Sequence, residues 1–139
     1  MASTYVNNLR LEEIADGEQS GTWGQTTNTN LELIADAFGY GTEAIASDAN
    51  STITMADGAA DGVRAMYLKI TSGVSLTATR TVTLAPSTVS KIWFIENATS
   101  GSQTIEIVSS GTNPSIPNGE TKVIYTDGSG AAVDAFSSL

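Results

Sequence analysis

From Ser51 to Phe136 the chain runs in short apolar-polar segments, each closed by Gly, Ser, Asn or Pro. This rhythm constrains the fold more than any other feature, because it leaves no room for long helices and matches strands half-buried on one face. Ser51–Met55 is the first such segment. Arg64–Ile70 sets Met66, Leu68 and Ile70 on one side; Val74 and Leu76 follow, and Thr79–Leu84 brings Val82 and Leu84. Ser90–Asn97 contains the near-continuous apolar run Ile92-Trp93-Phe94-Ile95, which predicts a central strand buried on both faces. Ala98–Ser102 reads as a hairpin loop leading to Gln103–Val108, with Ile105 and Ile107. Glu120–Thr126 follows, and Asp127-Gly128 turns the chain into Ala131–Phe136. Pro86, Pro114 and Pro117 fall between strands, where a missing N–H does no harm. No strict internal repeat is read. The expectation for residues 49–139 is an antiparallel β-sandwich or jelly-roll-like domain.

Residues 1–48 read as a small N-terminal module: an arm, a turn and one short helix. Leu9 and Leu11 alternate with polar neighbours, as in an extended arm or edge strand. Asp16-Gly17 marks a turn, and residues 17–30 are polar and glycine-punctuated around Trp23. An indole in such a loop covers either its own small core or a partner. Thr29 and Glu32 match a capping box, with earlier starts at Thr26 or Asn28 also compatible. Leu31, Ile34 and Phe38 then share one helical face, and Gly39 follows as a stop. A helix this short does not persist alone in water, so its apolar face must pack on something. Trp23, Leu31, Ile34 and Phe38 are therefore the expected assembly interface. The turn signals after Gly39 place the module boundary near Asp48 to Ser51.

Composition narrows function by exclusion. The net charge is −9, and the six Lys and Arg residues are scattered, which argues against binding nucleic-acid phosphates or an anionic membrane surface. Acid is concentrated toward the N-terminus, a pattern of solubility, of docking onto a basic surface or of divalent-ion binding. There is no Cys and no His, so disulfides, thiolate or imidazole metal sites and Ser-His-Asp or Cys-His catalysis drop out together. Asp57–Gly62 and Asp127–Gly130 lack the ligand spacing of an EF-hand. Glu96 and Glu106 read as outward-facing strand residues rather than a catalytic carboxylate pair. No enzymatic activity, cofactor or metal is expected. The sequence has no membrane-length apolar run and no signal-peptide pattern. Thr and Ser, about a quarter of the chain, supply the polarity instead; threonine suits a pleated, half-wet surface.

The run Gly17–Gly24, with Gly21-Thr22-Trp23-Gly24 at its end, continues through Thr26-Thr27-Asn28-Thr29-Asn30-Leu31. It resembles a segment near the N-terminus of many tailed-bacteriophage virion proteins. The stretches Ile92–Ile107 and Ile116–Gly128 look like a β-rich unit of the same class. The resemblance spans roughly two-thirds of the chain. It implies a virion structural protein, assembled in the host cytoplasm, that commonly trimerises and contacts other virion proteins of the capsid or tail. A short chain fits a capsid decoration (cement) subunit better than a full fibre. The alternative is a short tail fibre or tail-associated adhesion subunit binding host-surface glycan. That role needs an exposed aromatic platform, for which Trp23, Trp93, Tyr40, Tyr67 and Tyr125 are the candidates.

Overall fold

The computed structural model describes residues 2–111 and 113–138. Among these residues one helix, α1 (Trp23–Ala37), precedes nine strands: β1 (Tyr40–Ile45), β2 (Ser51–Thr54), β3 (Tyr67–Ser72), β4 (Arg80–Ala85), β5 (Ser90–Asn97), β6 (Ile105–Val108), β7 (Ser115–Ile116), β8 (Thr121–Asp127) and β9 (Ala132–Asp134). They form a five-stranded sheet ordered β1-β3-β5-β8-β9 and a four-stranded sheet ordered β2-β4-β6-β7. The protein is mainly β, and both sheets are mixed.

The expected antiparallel order does not hold. β1 pairs with β3 and β3 with β5 in parallel, as do β2 with β4 and β4 with β6. Among the described strand pairs, β5–β8, β6–β7 and β8–β9 are the antiparallel ones. The short turns read as hairpins send the chain to the other sheet instead of back beside the strand just left. Each turn of the chain thus lays one strand in each sheet, and three such coils stack. The corners stack too: Leu76 N–H donates to Ser100 O (2.9 Å), and Ser100 N–H donates to Ser72 Oγ (2.9 Å). Residues 98–102, expected as a hairpin loop, are one of these corners.

Alternation explains how the coils hold together. Leu68, Ile70, Trp93, Ile95 and Ile124 from one sheet join Ile53, Val82, Leu84, Ile105, Ile107 and Ile116 from the other in one buried cluster. Trp93 keeps its ring in that core because its indole N–H finds Val63 O at 2.7 Å. The other conspicuous buried group is Asn97, fully enclosed at the end of β5. Its amide donates to Gln103 O (3.0 Å) and Ile116 O (2.9 Å), and its carbonyl accepts from Thr99 N–H (3.1 Å) and Thr99 Oγ1 (2.6 Å). One side chain thereby pins the corner after β5 to β7.

β1 lies on the N-terminal side of the expected 48/49 boundary, yet it pairs with β3 from Tyr40↔Tyr67 to Ile45↔Ser72. Its Gly41 is required by packing: a Cβ there would sit 2.5 Å from Gly62 O. The N-terminal arm docks onto the 56–64 loop. The buried Arg64 guanidinium donates to Leu9 O, Ala56 O (2.8 Å) and Ala59 O (2.9 Å), and Arg10 pairs with Asp57 at 2.8 Å.

Candidate functional site

The glycine-punctuated turn sets where α1 begins. Gly17, Gln19 and Gly21 all have positive φ (80°, 58° and 85°), a region that suits glycine. The chain leaves Gly21 already poised to coil, and Gln19 O accepts from both Thr22 N–H (2.9 Å) and Trp23 N–H (3.0 Å). The expected capping box therefore does not form. The N-cap is Thr22, which makes no side-chain cap, while Thr29 and Glu32 lie inside the helix. Gln19, which sequence reasoning passed over, ties the module together: its side chain donates to Ser3 Oγ (3.3 Å) and Glu12, and accepts from Thr26 Oγ1. Nothing in its sequence context singled it out.

The face that α1 buries against its own chain is not the Leu31/Ile34/Phe38 face. Leu33 and Ala37 are the buried apolar residues of α1. Asn30 flanks them, its side chain accepting from Glu12 N–H (3.1 Å) and donating to Glu12 O (2.9 Å). The expected interface residues lie on the adjacent arc. At 100° per residue, Trp23, Ile34, Phe38 and Leu31 fall within about 80° of one another. Trp23 is 62% exposed, Leu31 59% and Phe38 73%, while Ile34 is half-buried. Trp23 does not cover a core of its own chain. It stands at the first helical position with its indole in solvent.

The electrostatic setting is one-sided. Between Arg10 and Arg64 there is no Lys or Arg, while Glu32 and Asp36 stand exposed on the side of α1 away from the stripe, about 100° and 140° round the helix from Leu31. Among the described residues no cluster of three or more acidic groups is placed to hold a metal ion. The acids of the 57–62 loop are engaged internally: Asp57 by Arg10, and Asp61 by the N–H groups of Ala56 (2.6 Å) and Arg64 (2.9 Å). Asp127 accepts from Ser129 N–H at 2.8 Å, and these hydrogen bonds hold its carboxyl below the usual range. The enclosed cavity between Met55, Leu84, Trp93 and Thr126 is about 10 Å³, no more than the room of a single water.

The other aromatic candidates separate cleanly. Trp93 is core. Tyr40 and Tyr67 stack on each other with ring centroids 5.8 Å apart and planes 21° apart. Tyr67 also donates its hydroxyl to Glu96 Oε1 at 2.7 Å. Tyr125 is partly exposed on β8. Compared with protein-family models, curated proteins and solved structures, the chain matches none. Among the described residues no helix is long and apolar enough to cross a membrane.

Proposed function

We propose that this chain is a non-enzymatic structural subunit of a tailed-bacteriophage virion. In this reading it is a capsid decoration protein that docks through α1 and self-associates as a homotrimer, with the two sheets forming an outward-facing β-sandwich. One observation carries the docking reading: Trp23, Leu31 and Phe38 form an exposed apolar stripe on a helix that runs directly into β1. The phage assignment rests on the Gly21-Thr22-Trp23-Gly24 resemblance, and the geometry supplies a physical use for that motif. Gly21 makes the turn, Thr22 starts the helix, and Trp23 is held out to solvent.

Magnitudes favour repeated copies over a single contact. The exposed parts of Trp23, Leu31 and Phe38 amount to about 400 Å². At about 25 cal/mol per Å² that is roughly 10 kcal/mol gross. Association costs about 4–15 kcal/mol in lost freedom, so one stripe alone binds weakly. Several stripes on one oligomer, meeting a lattice of identical sites, bind well through multivalency. The acids that α1 carries, with no Lys or Arg among its residues, suit a partner surface rich in Lys and Arg.

A tail-associated adhesion subunit binding glycan is the weaker reading, because Tyr40 and Tyr67 turn ring faces toward each other rather than outward. The test is incorporation of labelled protein into particles. Trp23→Ser with Phe38→Ser is expected to cut incorporation at least tenfold while stability moves by less than about 0.5 kcal/mol, as for other exposed sites. Undiminished incorporation would remove the role given to the stripe.

A further inference from the structure

The strand at the centre of the larger sheet is patterned for burial on both faces but is buried on one. In β5, Trp93 and Ile95 enter the core, whereas Ile92 and Phe94, pointing the other way, remain 45% and 40% exposed. They do not stand alone. Registers place Tyr40, Tyr67 and Phe94 in one row across β1, β3 and β5, with Val123 next on β8, and set Ile92 beside Tyr125. The smaller sheet provides an internal control. Its outward row runs Thr52–Thr83–Val108, with Thr81 beside Glu106. None of these is among the exposed large hydrophobic residues. Two outward faces of one fold thus carry opposite chemistry.

We propose that the outer face of the five-stranded sheet is covered by a second copy of this chain. The proposal assigns a surface to the self-association proposed above, and rests on that reading only in requiring that copies meet. Charge selects the occupant. On this face Lys69 lies beside Glu96 in register and Asp127 stands at the end opposite Ser90, so each copy of a chain of net charge −9 presents here a cation that can meet an acid of the other. By contrast α1 carries Glu32 and Asp36 and no Lys or Arg, so it offers a second copy no opposite charge and suits a different partner. Burial is also cheap in polar terms, since Tyr67 Oη already donates to Glu96 and lies 3.3 Å from Thr121 Oγ1. The area is adequate. Exposed apolar surface here is about 400 Å², half of the ~800 Å² that each partner gives to a standard interface. The row Thr42–Lys69–Glu96–Thr121 supplies a polar rim.

The experiment is sedimentation velocity on the full chain up to about 100 µM, a range in which mass action reveals assembly. The wild type is expected to be oligomeric. Ile92→Thr with Phe94→Thr copies the outward chemistry of the smaller sheet and retains β-propensity; it is expected to weaken assembly at least tenfold with an unchanged circular dichroism spectrum. Trp23→Ser with Leu31→Ser is expected to assemble like the wild type. A folded sheet variant that stays assembled overturns this assignment while leaving self-association intact. A wild-type monomer overturns it too, and leaves docking through α1 to the incorporation test. Should the double variant fail to fold, Ile92→Cys in this cysteine-free chain reports directly. Its thiol should label slowly when assembled and quickly on dilution, and equal rates would sink the proposal.

Discussion

Replacing Asn97 with Ala should be among the most damaging single changes in the molecule. The side chain is fully buried and satisfies four groups: Gln103 O, Ile116 O, Thr99 N–H and Thr99 Oγ1. Alanine leaves two carbonyls and an amide enclosed without these partners, at about 1–3 kcal/mol for each group that water cannot reach. The Thr99 hydroxyl can rotate to another acceptor, and the vacated space can admit a water, so the sum is discounted to about 3–5 kcal/mol. That is a large share of the roughly 5–15 kcal/mol that holds a domain together. Urea unfolding followed by circular dichroism measures it, with the slope checked for two-state behaviour. Asn97→Asp should be worse at neutral pH, because a carboxylate has no proton to give Gln103 O or Ile116 O, and should recover partly in acid. A loss below about 1 kcal/mol for Asn97→Ala, with an unchanged slope, would refute the idea that this amide pins the corner.

Lys91 gives a pH-dependent prediction. Burial, with the Arg64 guanidinium nearby, pulls its ammonium down to about 8. Below pH 8 the folded and unfolded chains both carry the proton and the desolvation penalty is full. Between about 8 and 10.5 the unfolded chain alone carries it, so stability rises with pH. The full difference corresponds to roughly 3 kcal/mol, which partial exposure reduces to about 1–2 kcal/mol. Lys91→Met should therefore be more stable than wild type at pH 7, and the gap in urea midpoints should close by pH 10; a gap independent of pH would exclude this cause. Gly62→Ala should cost more than about 2 kcal/mol, because the new methyl would collide with Thr42 O and backbone cannot yield as a side chain can. A thermal midpoint within a degree or two of wild type would show that the 62–65 loop moves aside freely.

How much of this was legible in the sequence differs by element. Strand β5 was read as Ser90–Asn97 and is Ser90–Asn97, because four consecutive apolar residues bounded by polar ones leave few alternatives. Strand β1 was missed. Gly39-Tyr40-Gly41 reads as a turn, and only the structure shows that Gly41 is small because Gly62 passes over it. Strand partners were misassigned for a general reason: alternation reports that a face is buried, not which strand lies alongside. One signal was available in the recurrence of Tyr40, Tyr67 and Phe94 at equal spacing, each opening or lying within a strand of the same sheet. Period groups Leu31, Ile34 and Phe38 on one helical face, whereas Trp23 reads as the large aromatic of a glycine-punctuated loop and is in fact the first residue of α1. The start was misplaced because a capping-box match carries no information about the φ values upstream, and those decide where coiling begins.

The stacking of coils also dictates the range over which the chain must find itself. Tyr40 meets Tyr67, Tyr67 meets Phe94, Ser51 meets Val82 and Arg80 meets Ile105. Each of these ladders closes a long loop before its first hydrogen bond repays the lost entropy. The short-range ladders, β6–β7 and β8–β9, both lie in the last third of the chain. A ribosome therefore releases β1 with no partner until β3 emerges, and β3 with its far edge open until β5 follows. The aromatic row is completed one ring at a time, in the order in which the message is read.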